Sequence, residues 1–214
     1  MGNLTTLLTL SDSRLPTGGH VHSGGVEEAV TSGLVVDLPT LTAYLRRRVV
    51  TTGLVTASLA AAVHSGALSP EAGGGGDVET DARTPAPAAR QSSRAQGRGL
   101  LRLARRVWPD GHWDILGATP HLSVVAGAVG AAGGLTPEQT ALSVVYTTMT
   151  NSATAAQRLL ALDPGDVAAL TFSLAPVCEQ TAAEAAAGLA DLSDPLLDVL
   201  AQRHLERDRP LFAS

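Results

Sequence analysis

The sequence predicts an all-α protein, built as a single domain of roughly ten helices over residues 1–214. Strand signals are scarce along the chain, whereas helix-start signals are frequent. Apolar residues also recur at the i, i+3, i+4, i+7 spacing that gives a helix one buried face. That spacing is clearest in two long segments, at Leu142, Val145, Tyr146, Met149 and Ala153, and again at Leu170, Leu174, Val177 and Cys178.

Four helix starts are marked by Thr or Asp followed by Pro. The Thr or Asp side chain caps free N–H groups of the first turn, and Pro suits the first helical position because its missing N–H needs no partner there. Gln139 follows Thr136 at the spacing of a capping box, and Asp37 with Pro39 marks a similar start. The four pairs are Thr119-Pro120, Thr136-Pro137, Asp163-Pro164 and Asp194-Pro195.

Glycines follow the periodic segments, where we expect them to end helices in the left-handed conformation that glycine adopts freely. These glycines are Gly33, Gly66, Gly133, Gly134 and Gly188. The start and stop signals together predict helices over residues 3–10, 25–33, 39–52, 54–65, 90–107, 120–132, 137–161, 164–187 and 195–206.

Residues 69–89 break the helical pattern. The segment contains four successive glycines, Gly73 to Gly76, together with Pro85, Pro87 and several acidic residues. Such a composition is typical of a flexible surface loop. Helical patterns flank the segment on both sides, so we expect a loop inside one domain rather than a domain boundary.

Composition and charge argue against several classes of function. The net charge of −5 disfavours nucleic acid as the main partner, since neutralising phosphates needs a clustered basic surface. The single cysteine, Cys178, cannot form an internal disulfide and suits a reducing, cytoplasmic compartment. Residues 1–10 lack the parts of a signal peptide, and no run of about 18 apolar residues predicts a membrane helix.

Residues 11–30, SDSRLPTGGHVHSGGVEEAV, are the most distinctive segment. Gly permits positive φ and Pro fixes φ, so we expect a shaped loop followed by a helix from about residue 25. The segment resembles the N-terminal signature of the UreF family of urease accessory proteins, roughly D-S-x-x-P-x-G-x-F-x-H-S-x-G-L-E, with departures at His20, Gly24 and Val26. The matching positions are Asp12, Ser13, Pro16, Gly18, His22, Ser23, Gly25 and Glu27.

The resemblance extends through most of the chain. Residues 90–101 resemble the family's central pattern of Arg, Ser, Gly and Leu-Leu, residues 121–127 its H-x-P-V-V-x-G segment, and residues 151–159 its N-L-x-x-A-A-x-R-L segment. After Arg158 the similarity weakens, because the family's P-L-G-Q is replaced by ALDPGD over residues 161–166. Residues 209–214 resemble the family's R-L-F-x-S ending, with Pro210 inserted.

The resemblance implies a symmetric homodimer that performs no catalysis and holds no cofactor. It implies a scaffold that inserts nickel into apo-urease together with a second accessory protein, UreD (UreH in some organisms), and the nickel-carrying GTPase UreG. We expect partner contacts in the N-terminal loop, near the end of the long helix and in a C-terminal docking tail, 207–214. The expected residues are Pro16, Gly18, His22, Ser23, Glu27, Arg158, Arg209, Leu211 and Phe212.

Two chemical alternatives arise from the loop. His20 and His22 lie two residues apart and suit a nickel contact. No third ligand lies nearby in sequence, and the alternative is that His22 hydrogen-bonds the loop backbone or Glu27. Asp12, His22 and Ser23 suit a small hydrolase, but the chain has no G-x-S-x-G, H-E-x-x-H or P-loop motif. We therefore expect no catalytic residue and no resident metal.

Basic and tail residues leave further alternatives open. Six arginines between residues 90 and 106 form a stripe on one helical face, which suits either a solvated surface or docking of an acidic partner. The same stripe is the only support for a helical ligand-binding regulator that contacts DNA. Arg158 follows a nearly uncharged run and is expected in an internal ion pair or at a dimer surface. Leu211 and Phe212 are expected to dock either on this protein or on a partner.

Overall fold

The computed structural model describes residues 3–12, 15–16, 22–191, 194–205, 207 and 211–212. Within these residues the chain forms helices and turns but no β-strand, which confirms the predicted all-α class. A π-helical turn, Val49–Gly53, and a 3-10 turn, Trp113–Leu116, lie between α-helices. The α-helices are α1 (Leu4–Leu10), α2 (Val26–Thr31), α3 (Leu38–Arg48), α4 (Leu54–His64), α5 (Gly75–Ala82), α6 (Pro87–Val107), α7 (Leu122–Ala132), α8 (Pro137–Leu160), α9 (Pro164–Ala187) and α10 (Pro195–Leu205).

Helix α4 lies at the centre of the fold and packs against α7, α8 and α9. Most of its side chains are buried. Because only 3% of the residues are aromatic, Leu, Val and Ala fill most of the core and neighbouring helices approach closely. Where α4 crosses α7, a Cβ added to Gly127 would lie 2.5 Å from the carbonyl oxygen of Ala60. Only glycine fits at that crossing.

Most predicted helix starts are confirmed by their caps. Thr136 and Gln139 form the expected capping box at α8, and Asp163 accepts hydrogen bonds from the first turn of α9. Asp194 Oδ1 accepts the N–H groups of Leu196 and Leu197 at the start of α10. At the other end of α9, the prediction for Gly188 is wrong in detail, since its φ of 172° is extended rather than left-handed.

The predicted start of α7 at Thr119-Pro120 is also wrong, because α7 begins at Leu122. Side chains from two other helices hold the preceding backbone out of the helix. Arg94 on α6 donates to the carbonyl oxygen of Thr119 at 2.6 Å, and the Asp77 carboxylate on α5 accepts the N–H of His121 at 3.1 Å. Tertiary contacts therefore move this start by two residues.

The predicted flexible loop over residues 69–89 is corrected most strongly. Residues Gly75–Ala82 form α5, which packs against α4 and α7, and α6 already begins at Pro87. The glycines serve close packing here. A Cβ added to Gly76 would lie 3.0 Å from the carbonyl oxygen of Ser69 and 3.0 Å from a methyl group of Val63.

A buried polar network clamps α5 between α6 and α7. His121 is fully buried; its Nε2–H donates to Asp81 Oδ1 at 2.9 Å, and its Nδ1 lies 3.0 Å from the hydroxyl of Ser93. Arg94 donates to the other oxygen of Asp81 at 2.9 Å. Burial lowers the pKa of His121, outweighing the attraction of Asp81. The imidazole is therefore held neutral within the network.

Close packing of α6 on α7 predicts that Gly97→Ala lowers the free energy of unfolding by about 1–3 kcal/mol, although Ala is the better helix former. The added Cβ would overlap the carbonyl oxygen of Pro120. Gly188→Ala is the matched control, since no atom lies within 4 Å of its added Cβ, and we expect a change below about 0.5 kcal/mol. Urea unfolding measures both, and equal effects would contradict the packing argument.

The lowered pKa of His121 predicts acid destabilisation. The unfolded state takes up the proton near the ordinary histidine pKa of 6.5, whereas the folded state resists it. Stability is thus fully present above that pH and falls as the pH drops towards the folded-state pKa, with a slope of up to about 1.4 kcal/mol per pH unit for one proton. The free energy of unfolding, measured with urea between pH 7.5 and 5, should depend less steeply on pH in His121→Gln than in the wild type. An equally steep pH dependence would contradict this assignment.

Candidate protein-interaction site

Glu27 lies in the first turn of α2, and its side chain is almost fully buried. Gly25 makes the entry to this helix possible, because its φ of 85° favours glycine and an added Cβ would lie 3.1 Å from the Tyr44 hydroxyl. The turn that precedes α2 therefore places the Glu27 carboxylate inside the protein. A buried carboxylate needs several donors.

The donors to Glu27 come from the other end of the chain. Oε1 accepts the backbone N–H of Leu211 at 2.8 Å, and Oε2 accepts the backbone N–H of Phe212 at 3.1 Å. His204 on α10 donates from Nε2 to Oε2 at 2.9 Å. Burial acts to raise the pKa of Glu27, but the hydrogen bonds from Leu211, His204 and Phe212 outweigh it and hold that pKa below the usual value.

Arg207 provides a second connection between α2 and the tail. Its Nη1 donates to the Glu28 carboxylate at 3.0 Å and to the Thr31 hydroxyl at 2.9 Å. The sequence reasoning missed both Arg207 and His204. Their signal was a pair of basic side chains at the start of the tail and just before it, with two adjacent glutamates early in the chain, but nothing local indicates that the two segments meet.

The two apolar tail residues have different environments. Phe212 packs partly against the core, whereas the Leu211 side chain remains 78% exposed. Phe212 therefore docks on the protein itself, which was one of the two alternatives. Docking of Leu211 on a partner stays a prediction. The tail residue Arg209 lies outside the described residues.

His22 was expected to hydrogen-bond the loop backbone or Glu27, but its imidazole Nδ1 contacts neither of them. That atom lies 3.0 Å from the hydroxyl of Ser92 on α6, and Glu27 is engaged with α10 and the tail. Gln96 also donates to the Ser92 hydroxyl, at 3.2 Å. His22 thus connects the N-terminal loop to α6.

The hydrolase alternative is contradicted by the position of Ser23. Its side chain is fully buried, and its hydroxyl has no hydrogen-bond partner in the described structure. Its carbonyl oxygen accepts the Ser152 hydroxyl at 3.1 Å, which ties the loop to α8. With the His22 Nδ1 directed to Ser92 and Ser23 enclosed, no nucleophile is presented to a substrate here.

Pro16 is exposed in a turn before the loop, while Gly18 and His20 lie outside the described residues. Arg158 is exposed near the end of α8 and makes no ion pair with a described residue. Both alternatives for Arg158, an internal ion pair and a dimer surface, therefore stay predictions. Among the residues described, no group of three His, Cys, Asp or Glu side chains could hold a metal ion.

The arginine stripe on α6 is divided by the fold. Arg90 and Arg94 turn inward to Asp81, and Arg105 pairs with Asp114 at 2.8 Å. Arg98, Arg102 and Arg106 remain exposed. The divided stripe leaves less basic surface for the DNA-contacting alternative. In the described part of the chain, no helix is long and apolar enough to cross a membrane.

The similarity of this chain to known proteins is extensive. A family model described as UreF matches residues 35–175. A protein of Mycolicibacterium vanbaalenii with the description urease accessory protein UreF is 79% identical over 214 residues, covering 100% of both chains. Proteins of the same description from Mycobacterium marinum and Mycobacterium tuberculosis are 70% and 67% identical, again over 100% of both chains.

An all-α chain with full-length similarity to these proteins is an accessory protein of urease, a class that carries out no catalysis itself. The match to the family model covers most of α3 to α9. The chain belongs to the UreF family.

The Glu27 contacts predict that Glu27→Gln loosens the tail and lowers the free energy of unfolding by about 1.5–3 kcal/mol, since hydrogen bonds to a charged acceptor are lost. Hydrogen exchange of the Leu211 and Phe212 amides should accelerate. Glu28→Gln is the matched control, with an expected loss of at most about 1 kcal/mol, because Arg207 is the one described residue whose side chain binds the Glu28 carboxylate.

The same contacts predict a pH dependence. The stabilisation by Glu27 is present above its unfolded-state pKa, near 4.5, and is lost as the pH falls through the lowered folded-state pKa. If the tail amides exchange equally slowly in the wild type and in Glu27→Gln, Glu27 does not hold the tail.

Proposed function

We propose that this protein is a non-catalytic scaffold that joins UreD (UreH in some organisms) to the GTPase UreG and so helps to insert nickel into apo-urease in the cytoplasm. Membership of the UreF family supports the urease context. The surface formed by the N-terminal loop, α2 and the tail supports the docking role. We define this surface by Pro16, His22, Leu211 and Phe212, and the buried Glu27 carboxylate holds its two tail residues in place.

The observation that carries the proposal is the joining of two distant segments at Glu27. Its carboxylate holds the backbone of Leu211 and Phe212 beside α2. The Leu211 side chain stays exposed on a backbone that is already ordered, so a partner that buries it loses less conformational entropy on binding. A pre-positioned apolar side chain is a suitable anchor for a pocket on a partner such as UreD.

Nickel is the cargo of the proposed assembly. The thiol of Cys178 does not suit nickel binding, because burial raises its pKa to about 11 and the thiolate is the form that binds metals. His204 and Glu27 already engage each other. We therefore place nickel transfer in the assembly with UreG and apo-urease, with this chain holding the partners together.

Co-expression with UreD, UreG and apo-urease tests the proposal. We expect the chain to elute with UreD on size-exclusion chromatography, and urease activity to depend on its presence. Light scattering of the free chain should give the mass of a homodimer. Normal urease activity without the chain, together with no complex, would contradict the scaffold function.

A point substitution tests the anchor. Leu211→Ser should weaken the complex with UreD about 10- to 100-fold, because burying a leucine side chain contributes about 1.5–3 kcal/mol. The isolated chain should unfold at an unchanged urea concentration, since Leu211 is exposed. Ile115→Ser, at another exposed apolar residue, in the 3-10 turn, is the control. Equal affinity of Leu211→Ser and wild type would rule out this anchor.

A further inference from the structure

A cavity of about 170 Å³ lies where the N-terminal loop, α3, α4, α6, α8 and α10 meet. Its volume is below the roughly 300–1,000 Å³ of pockets for drug-sized ligands, but it has room for several waters or a small ion. Polar side chains from separate elements line it. Those that the argument uses are Arg48, Thr148, Asn151, Asp194 and Asp198.

Arg48 brings a positive charge to this cavity, and no described carboxylate forms an ion pair with it. Its Nη1 donates to the carbonyl oxygen of Gly24 at 2.7 Å, while its Nε is buried and has no acceptor in the described structure. No carboxylate among the described residues lies within ion-pair distance of it. The neighbouring Arg47, in contrast, pairs with Asp194 through two hydrogen bonds of 2.6 and 2.7 Å. A half-buried guanidinium without a counterion attracts an anion.

Two side chains of α8 face the same cavity with unused hydrogen-bonding groups. Thr148 and Asn151 are three residues apart, so they lie on one face of the helix. Neither side chain makes a hydrogen bond with a described residue. Four other Ser and Thr hydroxyls of α8 donate to carbonyl oxygens, three of them to carbonyls of the same helix and that of Ser152 to Ser23. A hydroxyl and an amide therefore line the same cavity as the Arg48 guanidinium.

The backbone around Arg48 is unusual in a way that supports a binding role. Arg48 is the last residue of α3, directly before the π-helical turn Val49–Gly53. Such turns interrupt α-helices frequently at functional sites. The Gly24 carbonyl oxygen that Arg48 contacts also accepts the Tyr44 hydroxyl at 2.8 Å, and burial raises the pKa of Tyr44 to about 12, so that hydroxyl remains a donor. These two donors fix the loop against α3.

We propose that this cavity binds a small planar monoanion of the carboxylate class. Arg48 supplies the charge, and Thr148 and Asn151 supply hydrogen bonds. The single positive charge of Arg48 matches a ligand with a single negative charge. A phosphate carries nearly two negative charges, and the carboxylates of Asp194 and Asp198, which line the same cavity, disfavour it. The anion is either free, as formate, acetate or bicarbonate are, or an acidic side chain of a partner protein.

Binding of a free anion is tested by titrating the full chain with formate, acetate and bicarbonate at constant ionic strength. Chloride is the control titrant. We expect saturable binding by calorimetry and a matching rise in the thermal midpoint. Asn151→Ala should weaken it several-fold and Arg48→Gln at least tenfold. Arg46→Gln, an exposed arginine on the same helix, should bind as the wild type does. Inorganic phosphate should bind more weakly than acetate.

Arg48→Gln also removes the contact with Gly24 and could prevent folding. In that case Asn151→Ala, which removes no hydrogen bond with a described residue, still tests the proposal. The titration needs no urease protein, so its outcome is independent of the scaffold proposal. If no free anion binds but Asn151→Ala and Thr148→Val weaken co-elution with UreD tenfold, and Arg46→Gln does not, the carboxylate belongs to the partner. Absence of both effects, or wild-type anion affinity in Asn151→Ala and Arg48→Gln, overturns the proposal.

Discussion

The buried carboxylate of Glu27 is the interaction on which the arrangement of both chain ends depends. Taking a carboxylate out of water costs several kcal/mol unless donors replace the lost hydration. Here the replacement comes from His204 on α10 and from the backbone of Leu211 and Phe212. The tail is thus held by main-chain N–H groups, which leaves the Leu211 side chain exposed. The proposed partner-binding anchor and the internal hydrogen-bond network are built from the same residues.

A second constraint is the scarcity of large side chains. With few aromatic residues, the helices bury enough surface only by approaching closely, and small residues at the crossings permit this. Close approach also brings polar side chains of different helices within hydrogen-bond distance. The network of Asp81, Ser93, Arg94 and His121 joins α5, α6 and α7 in this way. Packing by small residues and cross-linking by polar ones therefore support each other.

The proposed anion site and the tail surface are connected through the N-terminal loop. Gly24, whose carbonyl oxygen receives Arg48 and Tyr44, lies three residues before Glu27. The loop is also tied to α6 through His22 and to α8 through Ser23. An anion in the cavity would thus contact residues that position the start of α2. Both sites belong to one region, which draws on residues from the two ends of the chain.

The sequence by itself determined the helices whose signals are local. The capping box of α8 and the Asp163 cap of α9 depend on residues two or three positions apart, so the correct starts of α8 and α9 could be predicted without the fold. The family signature was also contained in short segments, although it does not say which side chains are buried. Helix α5 was missed because its glycines have the composition of a loop, and only the contacts with Val63 and Val124 show that they serve packing.

Only the tertiary structure decided which polar groups meet. Glu27 binds residues 177 to 185 positions away, and Arg94 and Asp77 from two other helices displace the start of α7. The same holds for the arginines of α6, where Arg90 and Arg94 are paired and Arg98 is exposed. The physical reason is that a cap is satisfied within one turn, whereas a buried charge must find its partners wherever the packing of the whole chain brings them.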